Sequence, residues 1–150
     1  MKKILAISIL TIMFINPGHA QDSKLIEEVI SSLFVGMKTK NPELVSPAFH
    51  PEAIMHTVVS GESGGTLGSN SVQDFINRIA TTPENIVLDE RILEYDIKID
   101  GQMAAVWTPY EFYVNDTLSH CGVNSFQMIK TPEGWKITYI IDTRRKDKCK

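Results

Sequence analysis

Four sets of side chains in this 150-residue chain carry reactive chemistry. His56 could serve as a general base, because imidazole titrates near neutral pH without perturbation. The structural alternative is a hydrogen-bonded histidine at a strand edge. Asp142 could orient a guest or accept a proton, and its alternative is a salt bridge to Arg144 or another nearby base. His120 and Glu111 could form an acid–base pair, or a structural cross-strand ion pair, if their strands align. Cys121 and Cys149 form an even pair of thiols.

Other chemistries lack their signatures. There is no Gly-x-Ser-x-Gly elbow and no dinucleotide fingerprint. The segment Gly61–Gly68 is glycine-rich but lacks the lysine of a phosphate loop. His56, His120, Cys121 and Asp142 show no metal-ligand spacing such as two histidines one helical turn apart. We therefore expect neither a metal nor a cofactor.

The start of the chain reads as an address. Lys2 and Lys3 precede an apolar run from Ile4 to Ile15, broken only by Ser8 and Thr11, and Gly18-His19-Ala20 places small residues around a cleavage point. This predicts a signal peptide over residues 1–20 and a single domain over 21–150, exported to the periplasm or secreted after cleavage near Ala20. The run is shorter than the ~20 residues a bilayer span needs, so no stable membrane anchor is expected. An oxidising compartment permits a disulfide between Cys121 and Cys149.

The whole chain has 18 acidic and 15 basic residues. Residues 21–143 hold 17 acidic and 8 basic groups, whereas five bases fall within the last seven residues. An acidic body of this kind is a poor phosphate binder, so nucleic acid is not an expected partner.

These groups must be positioned by secondary structure. Leu25, Ile26, Val29, Ile30, Leu33, Phe34 and Met37 recur at helical spacing and predict a helix over 22–37. Asn41-Pro42 caps a short second helix, and Val72, Phe75, Ile76 and Ile79 mark a third over 71–81. Residues 53–59 read as a strand and 61–70 as a loop. From Asn85 onward the pattern turns to alternation. Asp100-Gly101, Asn115-Asp116 and Thr131–Gly134 punctuate four antiparallel strands ending at Thr143. Early helices and late strands predict an α+β domain with helices on one face of a curved sheet.

The turns set an expected register. Val114 opposite Thr117 places Glu111 opposite His120, and Lys130 opposite Trp135 places Gln127 opposite Thr138, Val123 opposite Asp142 and Cys121 opposite Arg144. One face then carries Tyr110, Phe112, Cys121, Ser125, Gln127, Ile140 and Asp142. The other carries Trp107, Glu111, His120, Phe126, Trp135 and Tyr139. A tail that folds back past Arg144 brings Cys149 toward Cys121, and a bridge requires Cα atoms within ~7 Å.

The order of elements, the long meander and Gly134-Trp135-Lys136-Ile137 resemble the nuclear transport factor 2-like superfamily. Trp107–Tyr113, Ser119–Gly122 and Ile141–Arg145 are similar to its exported lumazine-binding, SnoaL-like group. The resemblance implies a cone: three N-terminal helices packed on a strongly curved antiparallel sheet, with a pocket at the open end and a homodimer through the outer sheet face. Matched to the superfamily's ketosteroid isomerases, the face with Tyr110, Phe112, Ser125, Gln127, Ile140 and Asp142 turns toward the pocket, joined by His56. The isomerase carboxylates are missing: His56 and Thr57 stand in the segment of its base, and Ser125–Gln127 supply no acid. The resemblance thus implies a domain that binds a small, partly apolar molecule without catalysis. The alternative is a lyase or isomerase using His56 and Asp142.

Overall fold

The computed structural model describes residues 17–61 and 63–149. Residues 1–16, which hold most of the expected signal peptide, lie outside them.

Helix α1 (Pro17–Thr39) is already formed five residues before the expected position. Asp22 is consequently inside the helix and is not a cap. Its Oδ1 accepts from Lys130 Nζ at 2.7 Å and Trp135 Nε1 at 3.1 Å, tying α1 to the sheet. Ile26, Ile30, Leu33, Phe34 and Met37 are buried along one stripe, as their spacing requires. Asn41 caps α2 (Pro42–Val45) through the Glu43 amide, and a 3₁₀ turn (Ser46–Ala48) leads into the sheet.

Strands β1 (Phe49–Gly61) and β2 (Gly64–Asn70) form a hairpin, so the glycine-rich segment expected as a loop is an edge strand. After α3 (Val72–Ala80) come β3 (Leu88–Ile92), β4 (Asp96–Asp100), β5 (Met103–Val114), β6 (Thr117–Thr131) and β7 (Gly134–Thr143). The curved sheet runs β2-β1-β7-β6-β5-β3, with β4 also paired to β5. Every pair is antiparallel except β1–β7, which is parallel. Thus β5 is long enough to pair with two short strands in turn. Pro109 lies at the gap between them, and its carbonyl accepts from the Leu93 amide at 2.9 Å. The missing proline N–H points the same way, toward the break, where no ladder bond is forfeited.

Two irregularities decide which side chains face inward. The β5–β6 register shifts between Phe112 and Tyr113, leaving Ser119 as the extra residue. Phe112 therefore opposes His120, and Glu111 opposes Cys121. The β6–β7 register shifts between Gln127 and Met128, with Thr138 extra. Each bulge exchanges the two faces of a strand beyond it, because side chains alternate with period two. The concave face consequently takes Val106 and Tyr110 from β5, Asn124, Phe126 and Met128 from β6, and both Ile137 and Ile140 from β7. All are buried. Val106, Phe126, Met128, Ile137 and Ile140 join the α1 stripe in the hydrophobic core.

The chain closes with a backbone bridge between Cys121 and Arg145 and with a disulfide joining Cys121 to Cys149 (Cα–Cα 5.6 Å). The second bulge moves the residue opposite Cys121 from the expected Arg144 to Arg145. Among the described residues no helix is long and apolar enough to cross a membrane.

Candidate functional site

The concave face of the sheet, α1 and α3 surround a cavity of about 620 Å³. A smaller chamber of about 70 Å³ adjoins it. Met37, Phe75, Glu90, Asp142 and Arg144 line both. The walls mix apolar side chains (Phe75 and Ile79 from α3, Leu88 from β3, Phe112 from β5) with polar ones, among them Asn70, Arg78, Thr81 and Thr82. Among the described residues no three His, Cys, Asp or Glu side chains gather as metal ligands do.

Polar groups converge where the chambers meet. Asn124, buried, donates from Nδ2 to Glu90 Oε1 at 2.6 Å. Asp142 Oδ2 accepts from Arg144 Nε at 2.8 Å, so the plain salt-bridge reading of Asp142 describes its main contact. The Tyr110 hydroxyl donates to the Thr143 carbonyl at 2.9 Å and lies 3.4 Å from Asp142 Oδ2. His120 stacks on Phe112, ring centroids 4.7 Å apart, and meets Tyr110 edge-on at 5.9 Å.

The pairing register explains this convergence. Thr57 pairs with Asp142, Asp142 with Asn124, and Asn124 with Thr108, so four polar residues form one row across the concave face. The hydroxyls of Thr57 and Thr108 are buried with no protein partner among the described residues. The adjoining row, Met55, Ile140, Phe126 and Val106, is apolar.

Burial sets the protonation states. Desolvation raises the Glu90 carboxyl from its ordinary 4.5 to about 8, with the Asp142 charge adding to the rise and the Asn124 bond opposing it. Glu90 is thus mainly a neutral acid at pH 7, able to donate as well as accept. Desolvation, with the Glu90 and Asp142 charges behind it, lifts the Tyr110 phenol far above its usual range. Desolvation, followed by the Arg144 charge, lowers His120 and keeps its ring neutral at pH 7.

The sequence-based site residues divide. Tyr110, Phe112 and Asp142 line the larger cavity, and Ile140 lines the smaller. Ser125 and Gln127, expected toward the pocket, flank the inward Phe126 and point to the convex side. The bulge at Ser119 is the cause, since it reverses β6. His56 contributes to the wall of the smaller chamber, but its ring does not join Asp142. Met55 and Thr57 pair with the inward Ile140 and Asp142, so His56 between them turns outward, where Nδ1 lies 3.1 Å from the Tyr139 hydroxyl. The expected pairing of His120 with Glu111 is likewise undone. Glu111 accepts from Tyr113 on the convex face while His120 points into the cavity.

Sequence reasoning missed Glu90, Asn124 and Arg78, and it named Arg144 only as a salt-bridge partner of Asp142. A signal for Glu90 was present: Leu88, Glu90 and Ile92 share one strand face, so a carboxylate stands between two apolar residues.

An α+β cone with helices over a bent, mostly antiparallel sheet and a cavity at its open end defines a nuclear transport factor 2-like domain. Residues 21–139 match the family model described as "Putative lumazine-binding", and the chain belongs to that family. No curated protein matches the sequence. Solved structures agree on the fold. A nuclear transport factor 2-like protein of unknown function from Shewanella baltica is 20% identical, with 85% of this chain and 96% of that chain covered and a TM-score of 0.63. One from Methylobacillus flagellatus is 23% identical, covering 83% and 93%, with a TM-score of 0.62. A protein called a putative dehydratase from Streptomyces avermitilis is 14% identical, covering 85% and 98%, with a TM-score of 0.66.

Proposed function

We propose that this chain is an exported domain that binds a small, partly apolar molecule in its cone cavity and releases it unchanged. The observation that carries this reading is the cavity of about 620 Å³, whose lining combines apolar side chains with a cluster of polar and charged ones. Its size falls in the ~300–1,000 Å³ range of small-molecule sites, and a few convergent polar groups are what orient a guest in them. The leader-like first twenty residues and the Cys121–Cys149 disulfide support delivery to the periplasm or outside the cell. Trp107 and Met103, both about half exposed on the convex side, support a homodimer through that face. The family's description makes lumazine, a flat heterocycle with N–H and C=O edges, a guest to try first.

The test is fluorescence titration with the neutral probe 1-aminoanthracene, followed by displacement with lumazine. We expect saturable 1:1 binding of the probe, abolished by Leu88→Trp, which fills the chamber. Absence of saturable binding in the wild-type protein overturns the reading. Displacement by lumazine extends the family's description to this chain.

A second reading is favoured by Glu90. A carboxyl held protonated at neutral pH beside Asn124 and Asp142 could donate a proton in a lyase or isomerase reaction. His56 turns toward the Tyr139 hydroxyl and away from Asp142, which favours Glu90 over His56 as the partner of Asp142 in that chemistry. Turnover of any identified guest that survives Glu90→Gln removes this reading.

A further inference from the structure

The charges around the cavity are unevenly resolved. Four ionisable side chains of fixed sign line it: Arg78, Arg144, Glu90 and Asp142. The two acids are spoken for. Burial holds Glu90 neutral, and Asp142 is bonded to Arg144 Nε. The two bases keep donors in reserve. Arg144 uses only Nε, and its terminal nitrogens have no protein partner among the described residues. Arg78 has one long contact, Nη1 to Asn70 Oδ1 at 3.4 Å. Both side chains are exposed at the rim, whereas Met37, Phe75, Ile79, Leu88 and Phe112 line the interior.

The tail reinforces this polarity. The Cys121–Arg145 bridge, with backbone bonds of 2.7 and 2.9 Å, and the Cys121–Cys149 disulfide fasten both ends of the segment 145–149 to β6. That segment carries Arg145, Lys146 and Lys148 against Asp147 alone. Lys146 is near enough to His120, inside the cavity, to act on its charge. A protein whose body carries a large acidic excess thus sets two guanidinium groups with spare donors in the cavity lining, with a basic tail on the neighbouring strand.

We infer that the guest is an anionic amphiphile, with its apolar body in the chamber and a carboxylate or phosphate monoester head at the mouth against Arg78 and Arg144. The inference rests on the guest-binding reading above and names the chemistry of that guest. Guanidinium forks match planar or tetrahedral oxyanions through paired N–H donors, which a neutral hydroxyl head cannot exploit. The basic tail raises the local concentration of such a head and speeds its capture at low salt.

Calorimetric titration with dodecanoate, dodecyl phosphate and dodecanol, each below its micellar concentration, tests this. At least one anion should bind about tenfold or more tightly than the alcohol, as expected for charge-assisted hydrogen bonds, and the better of the two anions identifies the head. Arg78→Gln alters an exposed side chain with no close partner. It should keep the wild-type unfolding temperature and reduce the anion preference several-fold; Arg144→Gln should reduce that preference as much or more, with a lower unfolding temperature because it unpairs Asp142. Equal binding of all three probes, or preference for the alcohol, overturns the inference and leaves the chamber reading standing. If none of the three binds while 1-aminoanthracene does, the inference fails alone. If 1-aminoanthracene also fails to bind, both readings fall.

Discussion

Replacing Glu90 by Gln should change how stability depends on pH, and the sign follows from burial. The folded protein holds the Glu90 proton up to about pH 8, whereas an unfolded chain releases it near the ordinary 4.5. Below pH 4.5 both states are protonated and the residue costs nothing extra. Between 4.5 and 8 the folded state binds more protons than the unfolded one, so wild-type stability falls with rising pH. Above 8 the loss levels off. Holding the proton through one further pH unit is worth about 1.4 kcal/mol, which sets a ceiling of about 5 kcal/mol. Water in the cavity reduces this, and we expect about 3 kcal/mol between pH 5 and pH 8. Glutamine retains an oxygen to accept from Asn124 and removes the titration. Urea unfolding of both proteins at pH 5, 6.5, 8 and 9 isolates the effect, because the remaining ionisable groups cancel in the difference. The variant should match the wild type near pH 5 and exceed it progressively to pH 8. Parallel stability profiles would refute the claim that protein crowding, rather than cavity water, governs this carboxyl.

Two further outcomes follow from the packing beside it. In Gly122→Ala the new Cβ would run into the Thr143 carbonyl and the Tyr110 ring, so β7 must move and the Tyr110–Thr143 bond must stretch; urea unfolding should show a loss of about 2 kcal/mol or more. The double variant Cys121→Ser, Cys149→Ser should lose ~3–4 kcal/mol by the loop-entropy relation for a separation of 28 residues, and the oxidised wild type should fall to the same level on adding reductant.

The fold was legible because its signals are periodic. The α1 stripe, the Asn41-Pro42 restart and the turns at Asp100-Gly101, Asn115-Asp116 and Thr131–Gly134 each report local geometry, and the structure places elements on all of them. The resemblance supplied the cone. The site was legible only in part, and the reason is countable in single residues. Tyr110, Phe112, Ile140 and Asp142 lie on stretches where the expected phase survives. Ser125 and Gln127 lie beyond Ser119, where one extra residue reverses it. Nothing in Ser119 or Thr138 marks them as bulged, because a bulge answers to the curvature of the whole sheet. The orientation of His56 was hidden for a related reason: β1 pairs in parallel with a strand some eighty residues away, and no turn links the two to fix a register. The composition of segment 64–70 favours a loop, but the neighbouring β1 edge offers unpaired backbone groups that even glycine can satisfy.

That parallel pairing of β1 with β7 also governs when the molecule can come into being. An interior seam of the sheet joins its first strand to its last, so the β1–β2 hairpin has only itself to pair with until β7 arrives. Hairpins nearer the middle can flicker into existence, but the architecture cannot lock until the whole of β7 is free of the exit tunnel.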